Sequence, residues 1–287
     1  MDTVLRSQSK SVAIGIDKPF CIIGERINPT GRKVFAEQLR GGNLSGVIED
    51  MEAQLAMGAD VLDINAGIPL VDEPALLAQM IQLVQSNSDV PICIDSSIIE
   101  ALEAGLEVYN GKALVNSITG EDDRMAEILP TVAKYKAAVI GLTNDETGIP
   151  QTAAERLEIA RKIVGTCGDY GIPPEDVVLD PLAMTVGADP EAVNVTLKAI
   201  SMIREELGVN MCLGASNVSF GLPGRHQLNA AFLSIAMSHG LTSAIMNALS
   251  PECVESVRAA DLMLGKDQWG AAWIARHRAK QAAAAIA

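Results

Sequence analysis

The sequence predicts an α/β protein folded as a single closed (β/α)8 barrel, and three observations lead there. Eight short apolar runs rich in Val, Ile and Leu recur between Phe20 and Ala248. Each is followed by a segment with helical periodicity, and eight such pairs in about 250 residues suit that barrel. Aromatic residues make up only 3% of the chain against 48% hydrophobic residues overall, so the core must be aliphatic, as strands buried on both faces require.

The runs read FCIIGE (20–25), DVLDINA (60–66), PICIDSS (91–97), ALVNSI (113–118), AAVIGLTN (137–144), DVVLDPL (176–182), MCLGASN (211–217) and SAIMNA (243–248). Their length and branched composition predict buried strands. After the first run, LSGVIEDMEAQLAMGA spaces Val47, Met51, Leu55 and Ala59 by four residues, which puts them on one helix face. EPALLAQMIQLVQSN, SIIEALEAGLEVY, RMAEILPTVAKYK, AAERLEIARKIVGTCGDYG, EAVNVTLKAISMIREELG, LNAAFLSIAMSHG and PECVESVRAADLMLG continue the alternation. Several of them end on Gly or open after Pro, Asp or Ser, as helix boundaries do. An open doubly wound sheet is the competing arrangement. It is disfavoured because no G-x-G-x-x-G turn follows the first run and no linker divides the chain. The expected organisation is an N-terminal extension over 1–19, the barrel over 20–265, and a short Ala-rich helical tail over 266–287.

Composition removes several function classes. The net charge is −14 and only the tail carries a short basic stretch, which argues against binding nucleic acid through its phosphates. The five cysteines, Cys21, Cys93, Cys167, Cys212 and Cys253, show no C-x-x-C spacing, and three lie inside apolar runs. There a thiol acts as a small hydrophobe, which fits a reducing, cytoplasmic setting. The first twenty residues lack the apolar segment of a signal peptide. No window approaches the roughly 18 apolar residues of a membrane span.

Polar residues collect at the ends of the runs, where a (β/α)8 barrel carries its chemistry. Glu25 ends the first run and is followed by Arg26 and Asn28; Asp63 and Asn65 stand on the second, Asp95 on the third and Asn116 on the fourth. Asn144 and Asp145 close the fifth, Asp180 the sixth and Asn217 the seventh. A single Asp or Asn at such a place is more often a helix cap or a turn residue. Several together point to a ligand site, because burying a polar group without a partner costs about 1–3 kcal/mol. The three histidines, His226, His239 and His277, are isolated and offer no metal-ligand spacing, so no protein-bound metal is expected. There is also no G-x-S-x-G elbow and no P-loop. Aspartates and carboxamides instead suit a flat heterocycle rich in N–H donors, since a carboxylate can accept two parallel hydrogen bonds from an amino-pyrimidinone.

The motifs GERINPTG, GADVLDINAG, PICIDSS, ALVNSITGE, GIP, VVLDPLAM and LGASNVSFGLPGR follow in that order. Together they resemble the pterin-binding methyltransferase family, over about Phe20 to Leu264. This family includes the methyltetrahydrofolate:corrinoid protein methyltransferases and the folate module of cobalamin-dependent methionine synthase. The resemblance implies methyl transfer between tetrahydrofolate and the cobalt of a corrinoid. It makes Asp95, Asn116 and Asp180 the expected pterin anchors and Asn217 the expected amide at the methyl-bearing nitrogen. Asp63 and Asn65 would complete the pterin site, with Glu25, Asn28 and Arg225 as rim or tail contacts. The chain lacks the D-x-H-x-x-G segment that supplies a corrinoid's axial histidine, so the cobalamin would arrive on a partner protein; a homodimer is expected by the same resemblance. Two alternatives stay open. Dihydropteroate synthase shares the barrel and pocket, although NAGIP and GASNVS do not supply the cations its anion site needs. A non-catalytic folate-binding module is the other.

Overall fold

In the computed structural model, which describes residues 1–284, the chain begins with two strands that the apolar pattern does not announce. β1 (Asp2–Arg6) and β2 (Ser11–Gly15) form an antiparallel hairpin. The expected first run then becomes β3 (Cys21–Ile27), followed by β4 (Val61–Asn65), β5 (Ile92–Asp95) and β6 (Leu114–Thr119). β7 (Ala138–Leu142), β8 (Val177–Asp180), β9 (Asn210–Met211) and β10 (Ser243–Met246) complete the series. These eight strands make one parallel sheet in the order β10-β3-β4-β5-β6-β7-β8-β9. The sheet curls until Ile245 N donates to Leu213 O at 3.0 Å and Gly214 bridges Ile245. This is the predicted (β/α)8, or TIM, barrel.

Its seam is held partly by side chains. The expected seventh strand over 211–217 contracts to two residues, and a 3-10 turn over Ala215–Ser219 replaces its end. The hydroxyls of Thr242 and Ser243 each donate to Met211 O at 2.9 Å, and Met211 N donates back to Thr242 Oγ1 at 2.9 Å. These bonds satisfy backbone groups that a longer ladder would otherwise pair.

The helices are α1 (Lys33–Arg40), α2 (Ser45–Met57), α3 (Glu73–Asn87), α4 (Ile99–Val108) and α5 (Asp122–Tyr135), then α6 (Ala153–Asp169), α7 (Ala192–Glu206), α8 (Arg225–His239), α9 (Pro251–Met263) and α10 (Ala271–Ala284). α2 to α9 are the eight expected barrel helices, and α1 is an extra one after β3. Local chemistry sets several starts. Thr152 and Glu155 form a reciprocal capping box on α6, while Asp72 and Ser250 cap α3 and α9 ahead of Pro74 and Pro251. α10 is the predicted tail helix; Arg276 Nε donates to Glu255 Oε1 at 3.0 Å and ties it to α9. Residues 285–287 of that tail lie outside the described residues. No helix among the described residues is long and apolar enough to cross a membrane.

The core divides in two. Ile22, Leu62, Ile92 and Leu179 belong to the cluster shared with the helices. Ile23, Val61, Cys93, Leu114, Ala138, Val178 and Cys212 fill the barrel interior. Leu5 and Ile14 of the hairpin join this inner set with 0% exposure, so the hairpin plugs the N-terminal end of the barrel. Asn210 Nδ2 anchors it by donating to Ile14 O at 2.9 Å and Thr3 Oγ1 at 3.0 Å. With that end sealed, the cavity formed by the strand ends opens at the other.

Candidate active site

At the C-terminal ends of the strands lies a cavity of about 390 Å3. Glu25, Arg26, Asn28, Thr30, Arg32, Asp63, Asp95, Asn116, Asp180, Gly214, Asn217 and Ile245 line it. Strand register explains much of the grouping. Asn65 pairs with Asp95 and Asp95 with Asn116 across β4, β5 and β6, so the three stand at one height. Leu142 pairs with Asp180, which brings β8 to the same rim. On β3 the register shifts between Gly24 and Ile27. Such an irregularity re-aims side chains, and here it brings both Glu25 and Arg26 into the cavity wall.

Supporting bonds hold the wall groups. Asn65 Nδ2 donates to Asp95 Oδ2 at 3.0 Å, and Asn65 Oδ1 accepts from Gly67 N at 2.8 Å. Asn116 Nδ2 donates to Asp63 Oδ1 at 3.3 Å, with Asp63 only 2% exposed beneath it. Asp180 Oδ1 accepts from Leu182 N at 2.7 Å. The loop after Asp180 is fixed by the buried Arg156, whose Nη1 donates to Pro181 O and Leu182 O at 2.7 Å each. Glu25 accepts from Ser216 Oγ at 3.2 Å, which joins the end of β3 to the loop that bears Asn217.

Burial dominates the electrostatics. It pushes the Asp180 carboxyl up to about 7, against the Leu182 N–H and the Arg156 charge. It raises Asp95 to about 6, opposed by the Asn65 amide and helped by the Glu73 charge. Asp63 is lifted well above the carboxylate range by burial first and by the neighbouring Asp95 charge second. Glu25 is also raised by burial, with Ser216 as the leading opposing influence. Asp180 and Asp95, balanced near neutrality, can accept paired N–H groups when ionised and hold a proton when not.

The expected residues separate into distinct places. Asp63, Asp95, Asn116, Asp180, Asn217, Glu25 and Asn28 meet in the cavity wall. Asn65 stands behind the wall and orients Asp95. Arg225 lies outside it: Nη2 donates to Ser216 O at 2.7 Å and Nε to Ser219 Oγ at 3.1 Å, which braces the Asn217 loop. Asn144 and Asp145 are also outside; Asp145 Oδ1 accepts from Thr147 N at 2.9 Å as a turn residue does. Thr30, Arg32, Gly214 and Ile245 also line the cavity, although the pattern of polar strand ends does not mark them, and that pattern gives Arg26 only as the neighbour of Glu25. The two arginines of GERINPTGR are the signal that could have found part of this set. Gly214 has a steric role, since a Cβ there would stand 3.1 Å from Asn217 Nδ2.

The fold and this mouth define a (β/α)8-barrel enzyme with its polar groups on the catalytic face. The model of the pterin binding enzyme family matches residues 24–247. The chain belongs to that family. It is 30% identical over 253 residues to a methylcorrinoid:tetrahydrofolate methyltransferase of Eubacterium limosum, covering 86% of this chain and 92% of that one. It is 32% identical over 245 residues to the methionine synthase of Mycobacterium tuberculosis, covering 81% of this chain but only 21% of that longer protein. Similar solved structures include the Yersinia pestis dihydropteroate synthase with a pterin–sulfa conjugate (17% identity) and the Vibrio fischeri 7,8-dihydropteroate synthase (18%). Both have a TM-score of 0.69, covering 91% of this chain and 98% of theirs. At such identities the likeness is one of fold.

Proposed function

We propose that this protein transfers a methyl group between (methyl)tetrahydrofolate and the cobalt of a corrinoid carried by a separate protein. The observation that carries the reading is the convergence of Asp95, Asn116, Asp180 and Asn217 from separate strand ends on one cavity. The methylcorrinoid:tetrahydrofolate methyltransferase relative supports it, because that similarity extends over most of both chains. In this reading Asp95, Asn116 and Asp180 grip the pterin ring, with Asn65 and Asp63 behind the first two.

The chemistry explains why an amide faces the reacting nitrogen. A methyl on N5 of the reduced pterin is poorly electrophilic until N5 gains positive character. When the N5–C bond breaks, its electron pair returns to N5. The Asn217 side chain makes no hydrogen bond to other described residues, sits beside Gly214 and is exposed on an otherwise largely buried turn. It can therefore rotate to donate to N5 or accept from protonated N5, and strengthen that contact in the transition state. A cob(I)amide carried by the partner would supply the electron pair of the new Co–C bond, cobalt passing formally from +1 to +3 as the N5–C bond breaks. The same residues serve transfer in either direction, since one transition state serves both.

Absorbance of cob(I)alamin mixed with 5-methyltetrahydrofolate tests the reading. Wild type should methylate it, and Asn217→Ala should slow transfer about 100-fold, with folate affinity falling less than the rate. Dihydropteroate formed from p-aminobenzoate and a pterin pyrophosphate would contradict the proposal. So would folate binding by wild type without any methyl exchange.

A further inference from the structure

We propose that Arg26 is the anion anchor of the mouth: it receives a carboxylate of the substrate's glutamyl tail and so selects tail-bearing folates over free pterins. This rests on the folate reading above and adds a specificity-determining residue to it. The cavity wall holds two cations, Arg26 and Arg32, and four carboxyls, Glu25, Asp63, Asp95 and Asp180. Arg32 is already engaged. Its guanidinium binds both oxygens of Asp50 and also donates to Arg26 O, and it lies 4.4 Å from the centre of the Phe35 ring. Arg26 forms no ion pair among the described residues, although Glu25 is its neighbour in sequence. Glu25 accepts from Ser216 instead.

Arg26 Nε is shielded from water without a partner, and neither terminal nitrogen bonds to a described residue, so the edge of the guanidinium that lines the cavity is free to receive an acceptor. Four buried side-chain polar atoms among the described residues lack a partner, and two of them, Arg26 Nε and Gln54 Nε2, belong to this one assembly. The backbone of Arg26 is also held from both sides. Its N–H donates to Gln54 Oε1 at 2.9 Å, and its carbonyl accepts from Arg32. Gly24 makes room for that clamp, because a Cβ there would fall 2.4 Å from Gln54 Oε1. The irregularity in β3 thus presents a pre-positioned cation, which loses little freedom on binding.

Location decides which part of the ligand it meets. The acceptors that suit pterin N–H groups stand on β5, β6 and β8. Arg26 stands on β3 beside the β3–α1 loop, where Asn28 Oδ1 accepts from Thr30 N at 2.9 Å and stiffens the rim. A reduced folate has its only fixed negative charges on the glutamyl tail, and Arg–carboxylate pairs are the strong, directional match.

Calorimetric titration of 5-methyltetrahydrofolate and of a tailless 5-methyltetrahydropterin separates the possibilities. Arg26→Gln should weaken the folate about 10- to 100-fold and leave the tailless pterin unchanged, with Arg26→Lys between. Thermal unfolding of both variants checks that they fold. Equal losses for both ligands, or no loss for the folate, overturn the assignment. Inorganic pyrophosphate that binds wild type more tightly than p-aminobenzoylglutamate, and is lost in Arg26→Gln, reassigns the anchor to a phosphate and also overturns it. A wild type that binds neither pterin nor folate defeats the folate reading, and this proposal with it.

Discussion

Asp180 shows how a single side chain can serve the site against the stability of the fold. Its carboxyl is raised from 3.8 to about 7, chiefly by burial. Between those values the folded protein holds a proton that the unfolded chain has released. Stability from this group is therefore complete below about pH 4 and lost as pH rises through 7. Keeping the carboxylate ionised at pH 8 then costs about 4 kcal/mol. Asp180→Asn should raise the urea midpoint at pH 8, equivalent to about 2–4 kcal/mol, and the gain should vanish near pH 4; destabilisation at pH 8 would refute this account of Asp180. Asp180 and Asn217 are legible in the sequence because each follows an apolar run and precedes a turn. Arg26 and Arg32 are visible in GERINPTGR as two cations beside a strand end, but which of them is already paired cannot be read from a one-dimensional pattern.

At the scale of elements, the hairpin and the β3 irregularity are where structure adds most to the sequence reading. The alternation of eight strands and eight helices is legible because parallel strands are uniformly apolar and their helices amphipathic. The hairpin is not, because DTVLR and SVAIG are five-residue segments, too short for periodicity to distinguish from a loop. Its packing gives it weight all the same. Ile14→Ala would open a cavity inside the barrel and should cost about 2–5 kcal/mol in urea unfolding. Because that cavity lies at the far end from the mouth, folate affinity should stay near that of wild type; a large affinity loss without destabilisation would contradict the plug. Removing the α6 cap with Thr152→Ala should cost about 1 kcal/mol, read by the same unfolding curve. β9 is shorter than its apolar run suggests because the chain turns at Gly214 to carry Asn217 over the mouth.

Across the whole molecule, one end of the barrel is closed by apolar packing and the other is kept polar. The inner cluster of Cys, Val, Ala and Ile side chains separates them. All five cysteines are free and buried, and burial pushes the Cys93 and Cys212 thiols up. Iodoacetamide should therefore label none of them until the chain unfolds globally, which mass spectrometry can follow across a urea series; labelling in native buffer would mean that the barrel interior opens. Division of labour between the two ends lets the mouth carry its buried carboxyls without losing the fold. The central claim is that Asp95, Asn116 and Asp180 hold one pterin ring between them. Calorimetric titration of 5-methyltetrahydrofolate into wild type and into folded Asp95→Ala, Asn116→Ala and Asp180→Ala variants tests it most directly. One site per chain, weakened about tenfold or more in each variant, is the expected result; three variants that bind as tightly as wild type would contradict it.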